Sequence, residues 1–527
     1  MKPEFRRRAG LLVPLFSCPS SASWGIGDIG DVAHLTRWLA TAGQRVLQLL
    51  PINEMAPGQQ SPYSAISATA LDPIYINVAS VPEFAALGGE QALDRDEHEA
   101  LAHVRRTETI DYPAIRRLKN ATLLRAFDRF YELEWQRETP RALALREFVT
   151  SQAWWVEDYA LFRAIHAHQG EGAWTTWPEP LQRRQPDAID RARRELMREV
   201  LYRQYLQWIA STQWMAAREE ARAHGIGLFG DLAFMVDGDS ADVWAHQEQF
   251  RLDATVGVPP DAFSASGQDW GMPVYRWDAM SVTSYGWLRC RARRSADLYD
   301  GYRIDHLVGF YRTYGRPKDS GAPFFTPETQ ADQTALGERL IGIFREPGAE
   351  IFAEDLGTVP PFVRASLARL GVAGLAVMRW ERYWDTEGQP FRDPADYPVA
   401  SVAVSGTHDT EPLRTWWDLA ADEERVAINK LLTVQRVTEG AGLTNGPCDD
   451  RTRDGLLEAL LASRSFLALM PIGDVFGWRA RINEPATVSD RNWTFRLPWP
   501  SDKLDQIAEA NERRDALRLW AERWQRL

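Results

Sequence analysis

The chain has 527 residues, 45% of them hydrophobic and 25% charged, with a formal net charge of −12. Those proportions are those of an ordinary globular protein and exclude a disordered, collagen-like or coiled-coil chain. The acidic balance lacks the basic footprint of a nucleic-acid binder and suits an enzyme acting on a neutral substrate. Cysteines stand only at 18, 290 and 448, too few and too scattered for a disulfide framework or a cysteine metal site, which points to the reducing cytoplasm.

From the N-terminus, Arg6-Arg7-Arg8 followed by Leu11–Phe16 and Cys18 imitates a secretion signal in outline. Its apolar run is broken by Pro14 and falls short of the ~7–15 residues of a true hydrophobic region. Segment 11–17 therefore reads as a buried strand. Further apolar runs follow at 46–52, 226–236, 301–305, 350–354, 374–380, 399–405 and 467–472, with amphipathic stretches such as 31–43, 285–299, 361–370 and 411–439 between them. Eight short runs of little internal polarity, alternating with helices, predict a parallel sheet buried on both faces and closed as a (β/α)8 TIM barrel. Residues 83–222 break the alternation. They are rich in Ala, Arg, Glu, Leu and Trp at helical spacing and predict a helical insertion between strands two and three. No Gly/Ser-rich linker divides the chain, so residues 1–527 are read as one elaborated barrel. No apolar window reaches the ~18 residues of a membrane span.

Two motifs invite a functional reading and do not sustain it. Gly25-Ile26-Gly27-Asp28-Ile29-Gly30 matches the G-x-G-x-x-G dinucleotide pattern, but that pattern needs its first glycine directly after a strand, and Asp28 would set a carboxylate against the pyrophosphate. A glycine-rich turn with Asp28 as the N-cap of the next helix is expected instead. His166 and His168 lie in a helical stretch, where positions i and i+2 do not share a face, so they do not form a metal pair.

Three carboxylate motifs each close an apolar run and open a loop: Tyr302-Arg303-Ile304-Asp305-His306, Phe352-Ala353-Glu354-Asp355, and Gly406-Thr407-His408-Asp409-Thr410. In a (β/α)8 barrel all strand C-termini meet at one face, which carries the active site. Asp305 and Glu354 are 49 residues apart, and Glu354 and Asp409 are 55 apart. With βα units of about 30 residues, this puts the three on strands four, five and seven. Converging carboxylates suit glycoside chemistry, one attacking the anomeric carbon and a second, its pKa raised by the surrounding negative charge, donating to the leaving oxygen. The same carboxylates could hold a divalent metal. Arg303, two residues before Asp305 and on the same side of the strand, argues against a metal and for an ionised Asp305. The 22 tryptophans are expected mostly in the core, with some free to stack on a sugar.

With these motifs the chain resembles the 4-α-glucanotransferase family (amylomaltases, or disproportionating enzymes), which is related to the α-amylases. The likeness covers nearly the whole chain and includes Trp24-Gly25-Ile26-Gly27-Asp28, Ser61-Pro62-Tyr63-Ser64, Gly230-Asp231-Leu232, the run 239–244, the runs 257–263 and 271–277, and Asn492-Trp493. It implies a cytoplasmic enzyme that moves a segment of an α-1,4-glucan to the 4-OH of glucose or another glucan by retaining double displacement. No metal, organic cofactor, nucleic acid or membrane would take part, and the enzyme would be a monomer or weak homo-oligomer. The resemblance gives Asp305 the role of nucleophile, Glu354 that of general acid/base, and Asp409 that of steadying the distorted sugar. It places Tyr63, Asp231, Arg303 and His408 around the donor glucose and makes residues 245–285 a lid over the acceptor side, with Trp270 and Tyr275 as stacking surfaces. Met272, Ala486 and Phe495 depart from the commoner family residues and bear on acceptor choice rather than on the chemistry. A plain α-glucan hydrolase and a non-catalytic glucan-binding protein are the alternative readings.

Overall fold

The computed structural model describes residues 5–260, 267–319, 321–485, 487 and 489–527. Residues 261–263 of the family-like run, and Ala486, lie outside these. Twelve strands are present among the described residues: β1 (Arg8–Leu12), β2 (Val46–Gln48), β3 (Gly227–Leu232), β4 (Phe250–Val258), β5 (Gln268–Tyr275), β6 (Gly301–Ile304), β7 (Thr313–Pro317), β8 (Phe324–Thr326), β9 (Glu350–Ala353), β10 (Ala373–Val377), β11 (Ser401–Val404) and β12 (Leu467–Pro471). Strands β1, β2, β3, β6, β9, β10, β11 and β12 close a barrel in that order. Every pairing in it is parallel. The eight apolar runs read from the sequence are these eight strands. The first is shifted: the strand is Arg8–Leu12, and Leu15–Ser17 forms a 3-10 turn. Pro14 has no N–H to give to the ladder, and the pairing of β1 with β12 ends at Leu12.

Side chains alternate along a strand, so one parity fills the barrel. Phe229, Phe352, Leu375, Val402 and Leu469 form a single buried cluster there, in which the rings of Phe229 and Phe352 stack at 6.4 Å. Glycine is required at 301, since a Cβ would stand 2.7 Å from the Phe229 ring. Two residues further toward the C-terminal ends, the same parity carries Asp231 after Phe229, Arg303 after Gly301 and Glu354 after Phe352. The register places Asp231 beside Arg303 and Arg303 beside Phe352. An apolar plug thus ends in a layer of charge at the mouth.

Between β2 and β3 the chain is largely helical from Pro82–Ala86 through Met197–Ala223. A second sheet, β5-β4-β7-β8, is antiparallel and was not foreseen. Its strands leave the barrel after β3 and β6, so it stands on the mouth side. The helix expected after Asp28 is Asp31–Thr41, and its N-cap is Gly30, without a side-chain cap. Asp28 does not cap it: its carboxylate accepts from the Gly30 N–H and from Asn77, while Asp31 folds back onto the Asp28 N–H. His166 is buried between Glu171 (2.7 Å) and Asp239 (3.1 Å), whereas His168 is exposed. No helix among the described residues is long and apolar enough to cross a membrane.

Candidate active site

Asp305 and Glu354 are the first residues past β6 and β9. Their backbones still run with the sheet, Asp305 N–H donating to Leu232 O and Glu354 N–H to Ile304 O, each at 3.0 Å. This fixes both carboxyls over the mouth. Arg303 organises the layer beneath. Its Nη1 donates to both oxygens of Asp231 at 2.8 and 2.6 Å. Its Nη2 donates to Asp305 Oδ1 at 2.9 Å and to Glu354 Oε2 at 2.7 Å. Arg303 and Asp231 are buried, while Asp305 and Glu354 keep 23% and 22% of their side-chain surface open to the mouth. One guanidinium nitrogen therefore holds two carboxyls side by side.

Tyr63 donates from its hydroxyl to Asp231 Oδ2 at 2.8 Å. Its ring stacks on His408 at 5.2 Å and lies 5.8 Å from the Trp493 ring. His408 Nε2 is 3.2 Å from Asp409 Oδ2. Asp409 also accepts from the Asn483 side-chain amide at 2.6 Å, and its backbone carbonyl accepts from Arg481 at 2.7 Å. The structure thus brings Tyr63, Asp231, Arg303, Asp305, Glu354, His408 and Asp409 to one place. Asn483, Arg481 and Trp493 join them from the segment after β12. Trp270, near the tip of the β4–β5 hairpin, reaches the same mouth and sets its ring edge-on to His306 at 4.8 Å.

Tyr275 does not face the mouth, and its assignment as a stacking surface is corrected. It is 1% exposed, donates to Phe234 O at 2.7 Å and accepts from Arg291 at 3.0 Å. Phe234, Phe250, Trp277 and Trp287 surround its ring. The last three residues of β5 are buried, so an aromatic there becomes core.

Burial pushes the Asp305 carboxyl well above the ordinary carboxylate range. The Arg303 charge opposes this, and the neighbouring negative charges of Glu354 and Asp231 add to it. Burial also raises Glu354, but the Arg303 charge and the His306 N–H outweigh it and leave Glu354 below its ordinary value. An ionised Asp305 beside a protonated Glu354 is the expectation from sequence; the two carboxyls titrate as a pair, with Asp305 pushed up and Glu354 held down. The cause is that Arg303 is divided among three carboxyls while Glu354 alone receives the His306 N–H at 3.0 Å. Burial raises Asp409 as well, yet the charge and hydrogen bond of His408, with the Asn483 amide, bring it down to about 2. Among the described residues no group of three His, Cys, Asp or Glu is arranged to hold a metal ion.

Residues 13–502 match a family model described as 4-alpha-glucanotransferase. A 4-alpha-glucanotransferase from Thermus thermophilus is 33% identical over 528 residues, covering 97% of this chain and 100% of the relative. One from Solanum tuberosum, named as chloroplastic or amyloplastic, is 31% identical, covering 98% of this chain and 86% of the relative. The solved amylomaltase from Streptococcus agalactiae in complex with acarbose superposes with a TM-score of 0.83 at 27% identity, covering 99% of this chain and 100% of that one.

Proposed function

The chain belongs to the 4-alpha-glucanotransferase family, and from that premise we propose which residues carry out its retaining transfer between α-1,4-glucans. Asp305 attacks C1 of the donor glucose as the bond to the departing O4 breaks, and Glu354 gives O4 its proton. A glycosyl ester forms on Asp305. The 4-OH of glucose or a maltooligosaccharide then attacks C1, Glu354 takes the acceptor's proton, and Asp305 leaves as carboxylate. The proton that the two carboxyls share must sit on Glu354 when O4 arrives. Asp409, ionised throughout, steadies the positive charge that develops on the sugar ring. Tyr63 and His408 line the donor glucose, buried Asp231 acts on it through Arg303 and Tyr63, and Trp270 stacks on the acceptor side.

The observation that carries this reading is the single Arg303 nitrogen bridging Asp305 and Glu354 at 2.9 and 2.7 Å. Its test uses α-maltosyl fluoride, whose leaving group needs little protonation. With Glu354→Gln, intact-protein mass spectrometry is expected to show an added maltosyl unit, because the ester forms and then lacks its base. Asp305→Asn is expected to show none. An adduct on the Asp305 variant, or fluoride release without an adduct on the Glu354 variant, would overturn the roles. Glucose plus longer oligomers from maltotriose is the expected signature of transfer. A cytoplasmic location, and a monomeric or weakly associating state, complete the proposal. The three free cysteines support the first of these.

A further inference from the structure

His306 follows Asp305 directly and has φ of +42°, a left-handed backbone that residues other than glycine rarely adopt. The conformation aims its N–H at Glu354 Oε2, 3.0 Å away. That oxygen also receives Arg303 Nη2. A backbone donor cannot be turned by rotating a side chain, so its aim depends on what holds the strained residue. The imidazole is gripped from two sides. Trp270 from β5 meets it edge-on at 4.8 Å and 82°, and Phe234, past the end of β3, lies 5.6 Å away. Phe234 is buried and fixed. Trp270 is half-buried on the acceptor-side hairpin.

We propose that His306 is a positioning residue for Glu354, and that Trp270 holds its left-handed backbone in place, so that seating of the β4–β5 hairpin and aim of the acid/base are one event. The inference rests on the reading of Glu354 as acid/base. It gives the hairpin a part in the chemistry as well as in acceptor binding. The second half-reaction, in which Glu354 must take the acceptor's proton, becomes efficient when Trp270 is packed against His306.

The test exploits an unusual order of side chains. His306→Gly loses the ring but adopts positive φ freely, so the N–H can still reach Glu354. His306→Ala loses the ring and resists that φ. On maltotriose, kcat is expected to fall only a few-fold in His306→Gly and about tenfold further in His306→Ala. The pH limb of kcat/KM that reports the Asp305–Glu354 pair should move to higher pH in His306→Ala and stay in place in His306→Gly. Losing an N–H donor to Glu354 raises its pKa, which gives the direction. Trp270→Ala should show the same limb shift together with a raised acceptor KM. In a His306→Gly background it should keep the KM effect and lose the limb shift. His306→Ala at least as active as His306→Gly, with unmoved limbs in both, overturns the proposal. If His306→Ala misfolds, as shown by loss of a cooperative unfolding transition, the limb in Trp270→Ala decides. Glu354→Gln is the control: full maltotriose turnover in that variant means the acid/base reading has failed, whereas a slow Glu354→Gln beside an ordinary His306 series means that only the positioning inference has failed.

Discussion

The two ends of the barrel each carry an arginine against carboxylates, and they differ in arithmetic. At the foot, Arg8 opens β1 and meets Glu350, which opens β9, at 2.7 and 2.9 Å. Its guanidinium also lies over the rings of Phe229 and Phe466 at 5.6 and 5.8 Å. One cation faces one anion, and nothing is left over. At the mouth Arg303 faces Asp231, Asp305 and Glu354 together. Three carboxyls crowding one guanidinium favour the sharing of a proton between them, and Asp305 is pushed up accordingly. A balanced pair closes the barrel; on the roles proposed above, the unbalanced one supplies the proton that a leaving oxygen needs. The same chemistry on strands of one sheet becomes structure or catalysis according to whether charge is in surplus.

The comparison breaks first at the nucleophile. Asp305→Asn preserves the shape and removes the attacking charge, and kcat on maltotriose is expected to drop by up to ~10⁶, as for a nucleophile acting in a concerted unit. More than a few per cent residual activity in a folded variant would mean that the surplus at the mouth is not the seat of chemistry. Next comes Glu354→Gln, expected to slow maltotriose by ~10²–10⁴, the usual contribution of a general acid, as measured by release of glucose.

A finer probe is Asn483→Ala. Asp409 sits at about 2 partly through the Asn483 amide. Its pKa is depressed, so ionised Asp409 is present above that value and is lost as pH falls through it. Removing the amide raises the pKa, and an isotope-edited NMR titration of the Asp409 carboxyl should show its midpoint moving upward by less than about one pH unit. Asp409 is 40% exposed, and water screens part of the loss. An unmoved midpoint would show that the amide positions Asp409 without tuning it.

How much of this was legible beforehand depends on the kind of signal. The barrel strands are apolar on both faces and stand out between amphipathic stretches. The acid pair ends two of them, so Asp305, Glu354 and the helpful parity of Arg303 could be read directly. Asp231, Tyr63 and His408 carried no signal of their own beyond the family likeness. Asn483 lies twelve residues past the end of β12, in a long loop with no periodicity, and only the folded chain shows its amide on Asp409. The antiparallel sheet escaped because β4 does not alternate: Leu252 and Asp253 are exposed in succession and the four residues from Ala254 to Gly257 are buried in succession. Tyr275 failed for a general reason: an aromatic near a site is bulky enough for either core or ligand, and the sequence does not say which face it turns.

The smallest expected effect sharpens the contrast from the foot. Arg8→Met keeps an apolar stem over Phe229 and Phe466 and removes the cation. Glu350 loses its partner, but 38% of its side chain is exposed, so water replaces much of what Arg8 supplied, and the cost is the modest one of a partly solvated pair, about 1 kcal/mol. Chemical denaturation should register that loss as a lower midpoint with the slope unchanged. Turnover of maltotriose by the folded variant should match the wild type, since no proton held at the mouth depends on Arg8. A tenfold fall in kcat without a change in stability would mean that the plug transmits charge along the barrel axis, and the two ends would have to be treated as one electrostatic unit.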